Sequence, residues 1–185
     1  MDQAHEDDPL WGTRFQDYQT FYMPGMLDSI NAARQKLVPG ATPFRAMPVP
    51  AATQVRRPDT GAVVAGQGGA AQEWVESLAR TGVLVGLGVH QNDAARMSAY
   101  AATAPVVTPG CHWASRAEGF VRGTVLKYDP TSEDEGTLVA LLATSPEHVA
   151  QFTDTATTPI YALYGAMVTP GGRAYMVLQT YTEVC

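Results

Sequence analysis

The strongest constraint on the fold of this chain is a predicted strand that is apolar on both of its faces. In the stretch 160–168, Ile160 and Tyr164 fall on one face while Tyr161 and Met167 fall on the other, and neither face carries a charge. An antiparallel sheet with one wet face should instead alternate apolar and polar side chains. We therefore expect both faces of this sheet to be covered by other parts of the protein.

A second stretch, 137–144, has the same property because its Leu, Val and Ala residues leave no polar face. We interpret it as a strand as well. Runs rich in Thr, Val and aromatic residues predict further strands at 13–22, 62–65, 83–89 and 117–128. Pro170-Gly171 is typical of the centre of a type II turn, and it predicts a long hairpin over 159–183.

Two amphipathic helices are predicted in the first half of the chain. The first covers 26–37, where Met26, Ile30 and Leu37 recur at helical spacing, and the second covers 70–80. Both are followed by glycine, which is typical of a helix end.

Four connecting stretches are less regular. A turn sequence predicts a hairpin over 53–65, and the glycine-rich residues 66–69 are interpreted as a flexible linker. The stretch 96–107 is interpreted as a return strand, although its alanines leave a helix possible for part of 94–104. The sequence Ser145-Pro146-Glu147-His148 is typical of a helix start, so a helix of one or two turns is expected to run to Phe152.

Together these elements predict a mainly β fold of the α+β class, an antiparallel up-and-down β-barrel of about eight strands. The two or three predicted helices are too few to cover the outside of such a barrel, so a homodimer is the economical way to cover the rest. We expect residues 13–185 to form this single domain, preceded by a flexible acidic leader over 1–12.

The charge and the hydropathy of the chain exclude several classes of partner. The net charge of −6, from 18 acids and 12 bases, disfavours nucleic acid and anionic membranes, since both need a basic face. No apolar run approaches the roughly 20 residues of a membrane-spanning helix, and the acidic start differs from a secretory signal. These observations predict a cytoplasmic protein, in which Cys111 and Cys185 are free thiols because the last residue is expected to fray.

The sequence contains no catalytic motif and no ligand spacing typical of a metal site. Cys111 and His112 are neighbours, but neighbours on a strand point to opposite faces and would not hydrogen-bond each other. We therefore predict no metal and no cofactor.

Charged residues near or within apolar strands are the remaining candidates for chemistry, namely Glu118, Arg122, Arg173 and Glu183. A buried acid or arginine could orient the polar end of a ligand or transfer a proton. Solvated pairs at the rim of the sheet are the more common arrangement, and we predict that arrangement here.

A closed barrel would leave an interior able to hold one small ligand. The side chains that we expect to line it are Phe120, Tyr161, Tyr164, Tyr175, Met176 and Tyr181. Ordinary core packing is the alternative for each of them, because aromatic and methionine stripes occur more often in cores than in binding sites.

Two segments, 119–128 and 159–181, together with the chain length, resemble the small β-barrel proteins encoded in enediyne biosynthetic clusters. This resemblance implies a dimeric barrel with a hydrophobic cavity for a long, linear, unsaturated or fatty-acyl-like chain. It implies no catalytic residues.

The first functional hypothesis is a binding or carrier protein that sequesters a hydrophobic small molecule, such as a polyene, in its interior. The second is an enzyme that isomerises or cyclises such a molecule by holding it in a reactive shape, with Glu118, His112 or a tyrosine as proton shuttle. The third is a structural subunit without a ligand.

Overall fold

The structure is a computed structural model that describes residues 18–80, 94–124, 136–146 and 148–185. The predicted leader over 1–12, the first half of the predicted strand 13–22 and the predicted strand 83–89 lie outside the described residues. The described part of the chain contains seven strands: β1 (Gln19–Thr20), β2 (Arg45–Ala46), β3 (Gln54–Arg56), β4 (Val63–Gly68), β5 (His112–Thr124), β6 (Ile160–Val168) and β7 (Arg173–Val184). It also contains five α-helices: α1 (Met26–Leu37), α2 (Gly69–Arg80), α3 (Ala94–Thr103), α4 (Gly136–Thr144) and α5 (Val149–Thr153).

The centre of the sheet is an antiparallel group of three long strands in the order β6, β7, β5. The predicted hairpin is confirmed, because β6 and β7 pair along their length from Ile160↔Thr182 to Val168↔Ala174. Its turn differs from the prediction. The positive φ of 85° occurs at Gly172 and not at Gly171, so the geometry is that of a type I turn followed by a left-handed glycine.

The short strands β1, β2 and β4 pair with the other edge of β6, each at a different position along it. β2 and β4 run parallel to β6, whereas β1 runs antiparallel to it. β3 pairs antiparallel with β4, which confirms the predicted hairpin over 53–65. The sheet is therefore mixed, and its order is β3, β4, β6, β7, β5.

Helices of the chain itself cover both faces of this sheet. We call the two sides the α2–α3 face and the α1–α4 face after the helices packed on them. Alternate residues of β6 and β7 contribute to the two apolar clusters, and every residue of β6 is buried. The expectation that both faces are covered is confirmed.

The stretch 137–144 is helical, so its interpretation as a strand is wrong. Leu138 and Leu142 are fully buried one turn apart in α4, whereas Leu141 is 41% exposed. Leucine and alanine are strong helix formers, and a short run of apolar residues cannot be assigned to helix or strand by periodicity.

The stretch 96–107 is also not a return strand, because α3 occupies Ala94–Thr103. The alternative of a helix within 94–104 is the confirmed one, and alanine propensity is its physical reason. Two further predictions hold, since α1 and α2 occur where amphipathic spacing placed them.

The α+β class is confirmed, but the described strands form an open sheet and not a closed up-and-down barrel. The physical reason is that the stretches 96–107 and 137–144, predicted as strands, form most of the helices α3 and α4. As helices they remove two strands from the predicted barrel and supply the layers that bury both sheet faces.

The glycine-rich residues 66–69 form an abrupt junction between strand and helix and are not a linker. β4 continues to Gly68 and α2 begins at Gly69, with φ angles of 136° and 52°. A Cβ atom on Gly69 would collide with the ring of Tyr100, so glycine lets α2 and α3 approach closely.

Cys111 and Cys185 form a disulfide, so the prediction of two free thiols is wrong. β7 does not fray at its end. It pairs with β5 as far as His112↔Val184, and the next pair in this register is Cys111 opposite Cys185.

None of the helices in the described ranges has the length and apolar character needed to span a bilayer.

Candidate functional site

The six predicted lining residues do not line one common interior. Tyr161, Tyr175 and Tyr181 belong to the cluster on the α2–α3 face, and Phe120 packs against it. Tyr164 and Met176 belong to the cluster on the α1–α4 face. The period of two along a strand separates these sets, because residues on odd and even positions of β6 and β7 face opposite layers.

A buried ion pair lies on the α2–α3 face. Arg96 on α3 donates from Nη2 to Oε1 of Glu118 on β5 at 2.8 Å, and the Glu118 side chain is 1% exposed. The rim position predicted for Glu118 is wrong. Arg122 and Arg173 are exposed, as expected of rim residues.

Two residues of β7 complete a hydrogen-bonded chain from this carboxylate. Gln179, the register partner of Glu118, donates from Nε2 to Oε2 of Glu118 at 2.6 Å. The Tyr181 hydroxyl donates to Oε1 of Gln179 at 2.7 Å. Both carboxylate oxygens are thus engaged, as a buried charge requires.

Aromatic rings enclose this polar chain. The guanidinium of Arg96 lies 3.5 Å from the ring centroid of Trp74 on α2, a cation–π contact. The rings of Tyr100 and Tyr181 lie 6.1 Å apart. Further along the same face, Phe120 stacks on Tyr175 at 6.4 Å. The surroundings are mainly aromatic, and they bury Glu118 more completely than Arg96, whose side chain stays 16% exposed.

Two polar atoms beside the ion pair are buried without a partner among the described residues. They are Nε1 of Trp74 and the hydroxyl of Tyr100. Tyr100 lies one helical turn after Arg96 on α3, on the same side of the helix. A buried polar group without a partner costs roughly 1–3 kcal/mol, so such groups are uncommon in cores without a reason.

Burial keeps both tyrosine hydroxyls protonated. It raises the pKa of Tyr100 to about 12, with a smaller contribution from the charge of Glu73. Burial is also the main reason why the pKa of Tyr181 is raised, and the electrostatic effects of Tyr100 and Glu118 raise it further. At neutral pH the site therefore presents neutral hydroxyl groups beside the ion pair.

His112 is not part of this site. It is exposed at the start of β5, and its neighbour Trp113 packs into the α2–α3 face. Alternation along the strand therefore places His112 on the opposite face from Tyr181. The structure brings Glu118 and Tyr181 together but separates them from the histidine.

A second buried polar cluster serves the fold. The side chain of Gln72 accepts from the amide of Ala166 at 2.9 Å and donates to its carbonyl at 3.1 Å, as a neighbouring strand would. Gln67 binds the backbone of Phe21 and Met23 in the same manner. These glutamines connect α2 and β4 to the sheet edge.

A cleft of about 380 Å³ lies next to this glutamine cluster. Its lining includes Gln54, Arg56, Glu73 and Glu76, so its walls are mainly polar. They do not suit the hydrophobic ligand expected from the sequence.

Sequence reasoning identified Glu118 and Tyr181 but missed Arg96, Gln179, Trp74 and Tyr100. A glutamine within the apolar strand 173–184 was a usable signal, because a buried amide needs a partner on the adjacent strand. No local signal marked Arg96, which is 22 residues from its partner.

Comparison with protein families, curated proteins and solved structures gave no match to this chain. The resemblance to barrel proteins of enediyne clusters therefore stays a prediction.

Proposed function

We propose that the protein binds a mainly apolar small molecule at the α2–α3 face and acts as a carrier for it. The observation that carries this proposal is the pair of unpartnered polar atoms, Trp74 Nε1 and the Tyr100 hydroxyl, beside a buried ion pair in an aromatic layer. A ligand with an apolar body and one oxygen acceptor would satisfy both donors while its body contacts the rings.

The ligand class that we propose is a polyene or fatty-acyl-like chain, as in the pathway suggested by the sequence resemblance. Two aromatic pairs, Tyr100 with Tyr181 and Phe120 with Tyr175, lie in the buried layer of the α2–α3 face, and a long apolar molecule that enters this layer would contact both. Burial of apolar ligand area would supply most of the affinity at about 25 cal/mol per Å².

This proposal places the ligand within a single chain. The predicted homodimer was argued from sheet faces left uncovered, and those faces are covered by α1 to α5. Light scattering after size exclusion gives the oligomeric state, and a monomer that binds ligand would show that binding does not need the predicted dimer.

The test uses parinaric acid, a conjugated polyene fatty acid whose fluorescence rises in apolar surroundings. We expect saturable binding of one molecule per chain, and native mass spectrometry of protein purified without added ligand should show a bound lipid-like mass. Tyr100→Phe should weaken binding about tenfold, the value of one hydrogen bond of about 1.4 kcal/mol.

Tyr22→Phe is the matched control, because Tyr22 lines the polar cleft and not the α2–α3 face. It should bind parinaric acid as the wild type does. Absence of saturable binding would overturn the proposal and favour a structural subunit. Equal affinity in Tyr100→Phe, Trp74→Phe and wild type would show that the donors are not used.

One observation favours the enzyme as a second candidate. The carboxylate of Glu118 is fixed in the aromatic layer by Arg96 and Gln179, and it could exchange a proton directly with a bound polyene. Chromatographic analysis of parinaric acid after incubation would reveal double-bond isomers, and Glu118→Gln should abolish their formation. If parinaric acid stays unchanged, the enzyme candidate is rejected and the carrier proposal remains.

A further inference from the structure

We propose that Cys111, Cys185 and Glu183 form a redox-controlled site for a zinc-type divalent ion, closed as a disulfide and open as two thiolates. One ligand atom from each of these residues lies within 4.8 Å of the others. The site is separate from the ion pair and does not depend on the proposed carrier function.

The strand register brings the three side chains to one face at one end of the sheet. Cys111 and Cys185 are directly opposed in the register of β5 and β7, just beyond His112↔Val184. Glu183 precedes Cys185 by two residues, so its side chain lies on the same face. A metal at this point would replace the covalent bridge between the same two strands.

Glu183 is held in place by the segment that precedes Cys111. Its Oε2 accepts hydrogen bonds from the backbone amides of Val107 at 2.6 Å and Thr108 at 2.9 Å. The Thr108 side chain also hydrogen-bonds this carboxylate and helps to lower its pKa. Hydrogen bonds to a ligating carboxylate fix its orientation and raise metal affinity.

The donor set determines which metal fits. Two thiolates and one carboxylate match zinc and similar borderline ions, with water in the fourth tetrahedral position. An open position of this kind occurs in zinc sites that bind or activate a small molecule, whereas purely structural sites use four protein ligands.

The chemistry of opening balances with a dithiol reductant. The disulfide accepts two electrons and two protons and becomes two thiols, while the dithiol loses two hydrogens and becomes a disulfide. Binding of the divalent ion then releases both thiol protons to solvent. In a reducing compartment such as the cytosol the open form would dominate, and in an oxidising compartment the closed form would.

The test titrates the full chain with Co²⁺, in the air-oxidised form and after reduction by dithiothreitol and its anaerobic removal. The reduced protein should bind one Co²⁺ per chain with thiolate-to-cobalt charge-transfer absorption, and Zn²⁺ should displace it. The oxidised protein should give no such absorption. Glu183→Gln, which keeps both cysteines, should weaken binding by at least about tenfold.

Glu73→Gln is the control, since it removes a carboxylate from α2 and should leave Co²⁺ binding unchanged. Circular dichroism verifies that each variant is folded. The proposal is overturned if the folded, reduced wild type binds no Co²⁺, or if Cys111→Ser/Cys185→Ser binds it equally. Two reactive thiols in the air-oxidised protein would overturn the redox control.

Discussion

The two faces of the sheet are covered to a similar extent, but they use polar residues differently. On the α1–α4 face the buried charge is Arg34, which donates to the backbone carbonyls of Phe152 at 2.8 Å and Thr42 at 2.9 Å. On the α2–α3 face the buried charge is Glu118, which is paired with the half-buried Arg96, and the described partners of Glu118 are side chains.

The two faces therefore differ in what their charged residues contribute to folding. Arg34 satisfies carbonyls that would otherwise be buried without partners, so it contributes to folding directly. A buried pair of opposite charges often contributes no more than apolar residues of the same size would. The carrier proposal therefore predicts that the pair on the α2–α3 face contributes to binding more than to stability.

The largest expected effect comes from removing one charge of that pair. Arg96→Met would leave the Glu118 carboxylate buried without its cation, which should lower the free energy of unfolding by about 4 kcal/mol. Urea denaturation followed by circular dichroism measures this loss. A loss below about 1 kcal/mol would mean that the pair is solvated, contrary to the geometry.

A comparable truncation on the other face should separate stability from binding. Leu142 on α4 is fully buried against the α1–α4 face. Leu142→Ala should cost about 3 kcal/mol through lost contacts and a cavity. Parinaric acid affinity, measured where the variant is still folded, should match that of the wild type. A weakened affinity would mean that the ligand uses both faces.

The stability of the protein should fall at alkaline pH because of the α2–α3 face. The folded-state pKa values of Tyr100 and Tyr181 are raised, so both hydroxyls stay protonated in the folded protein while they ionise in the unfolded chain. Their contribution is complete below about pH 10 and is lost as the pH rises toward 12. The urea midpoint should therefore drop between about pH 10 and about pH 12, and the drop should be smaller in Tyr100→Phe. An equal drop in both proteins would contradict the burial of this hydroxyl.

The smallest effect is expected where a polar atom has no partner. Tyr100→Phe removes a buried hydroxyl without a hydrogen bond in the described structure, so the free energy of unfolding should rise by about 1 kcal/mol. Thermal or urea unfolding at neutral pH measures it. A loss near 3 kcal/mol would reveal a structural partner for the hydroxyl.

The same comparison explains how far sequence reasoning reaches. Local patterns sufficed for α1, α2 and the β6–β7 hairpin, because spacing, turns and caps lie within each segment. The coverage of both sheet faces was also predictable, because the strand 160–168 is apolar on both of its faces. The helices that provide this coverage were harder to predict, because the apolar run in α4 has no periodicity that distinguishes a helix from a strand.

The site was harder to predict because its parts come from distant segments. Glu118 was recognisable as a charge within a strand, but its burial depends on Arg96 and Gln179, which the fold brings from other elements. The disulfide likewise depends on the β5–β7 register and not on any spacing between the cysteines. Long-range pairing of this kind has no local sequence signal.

The most direct test of the central claim is the double variant Arg96→Met/Glu118→Leu, measured for both urea stability and parinaric acid binding. If the buried pair serves binding, the double variant should unfold at the wild-type urea concentration or above it, because apolar residues fill the same space without unpaired charge. It should also lose saturable parinaric acid binding. A double variant that binds with wild-type affinity would contradict the account.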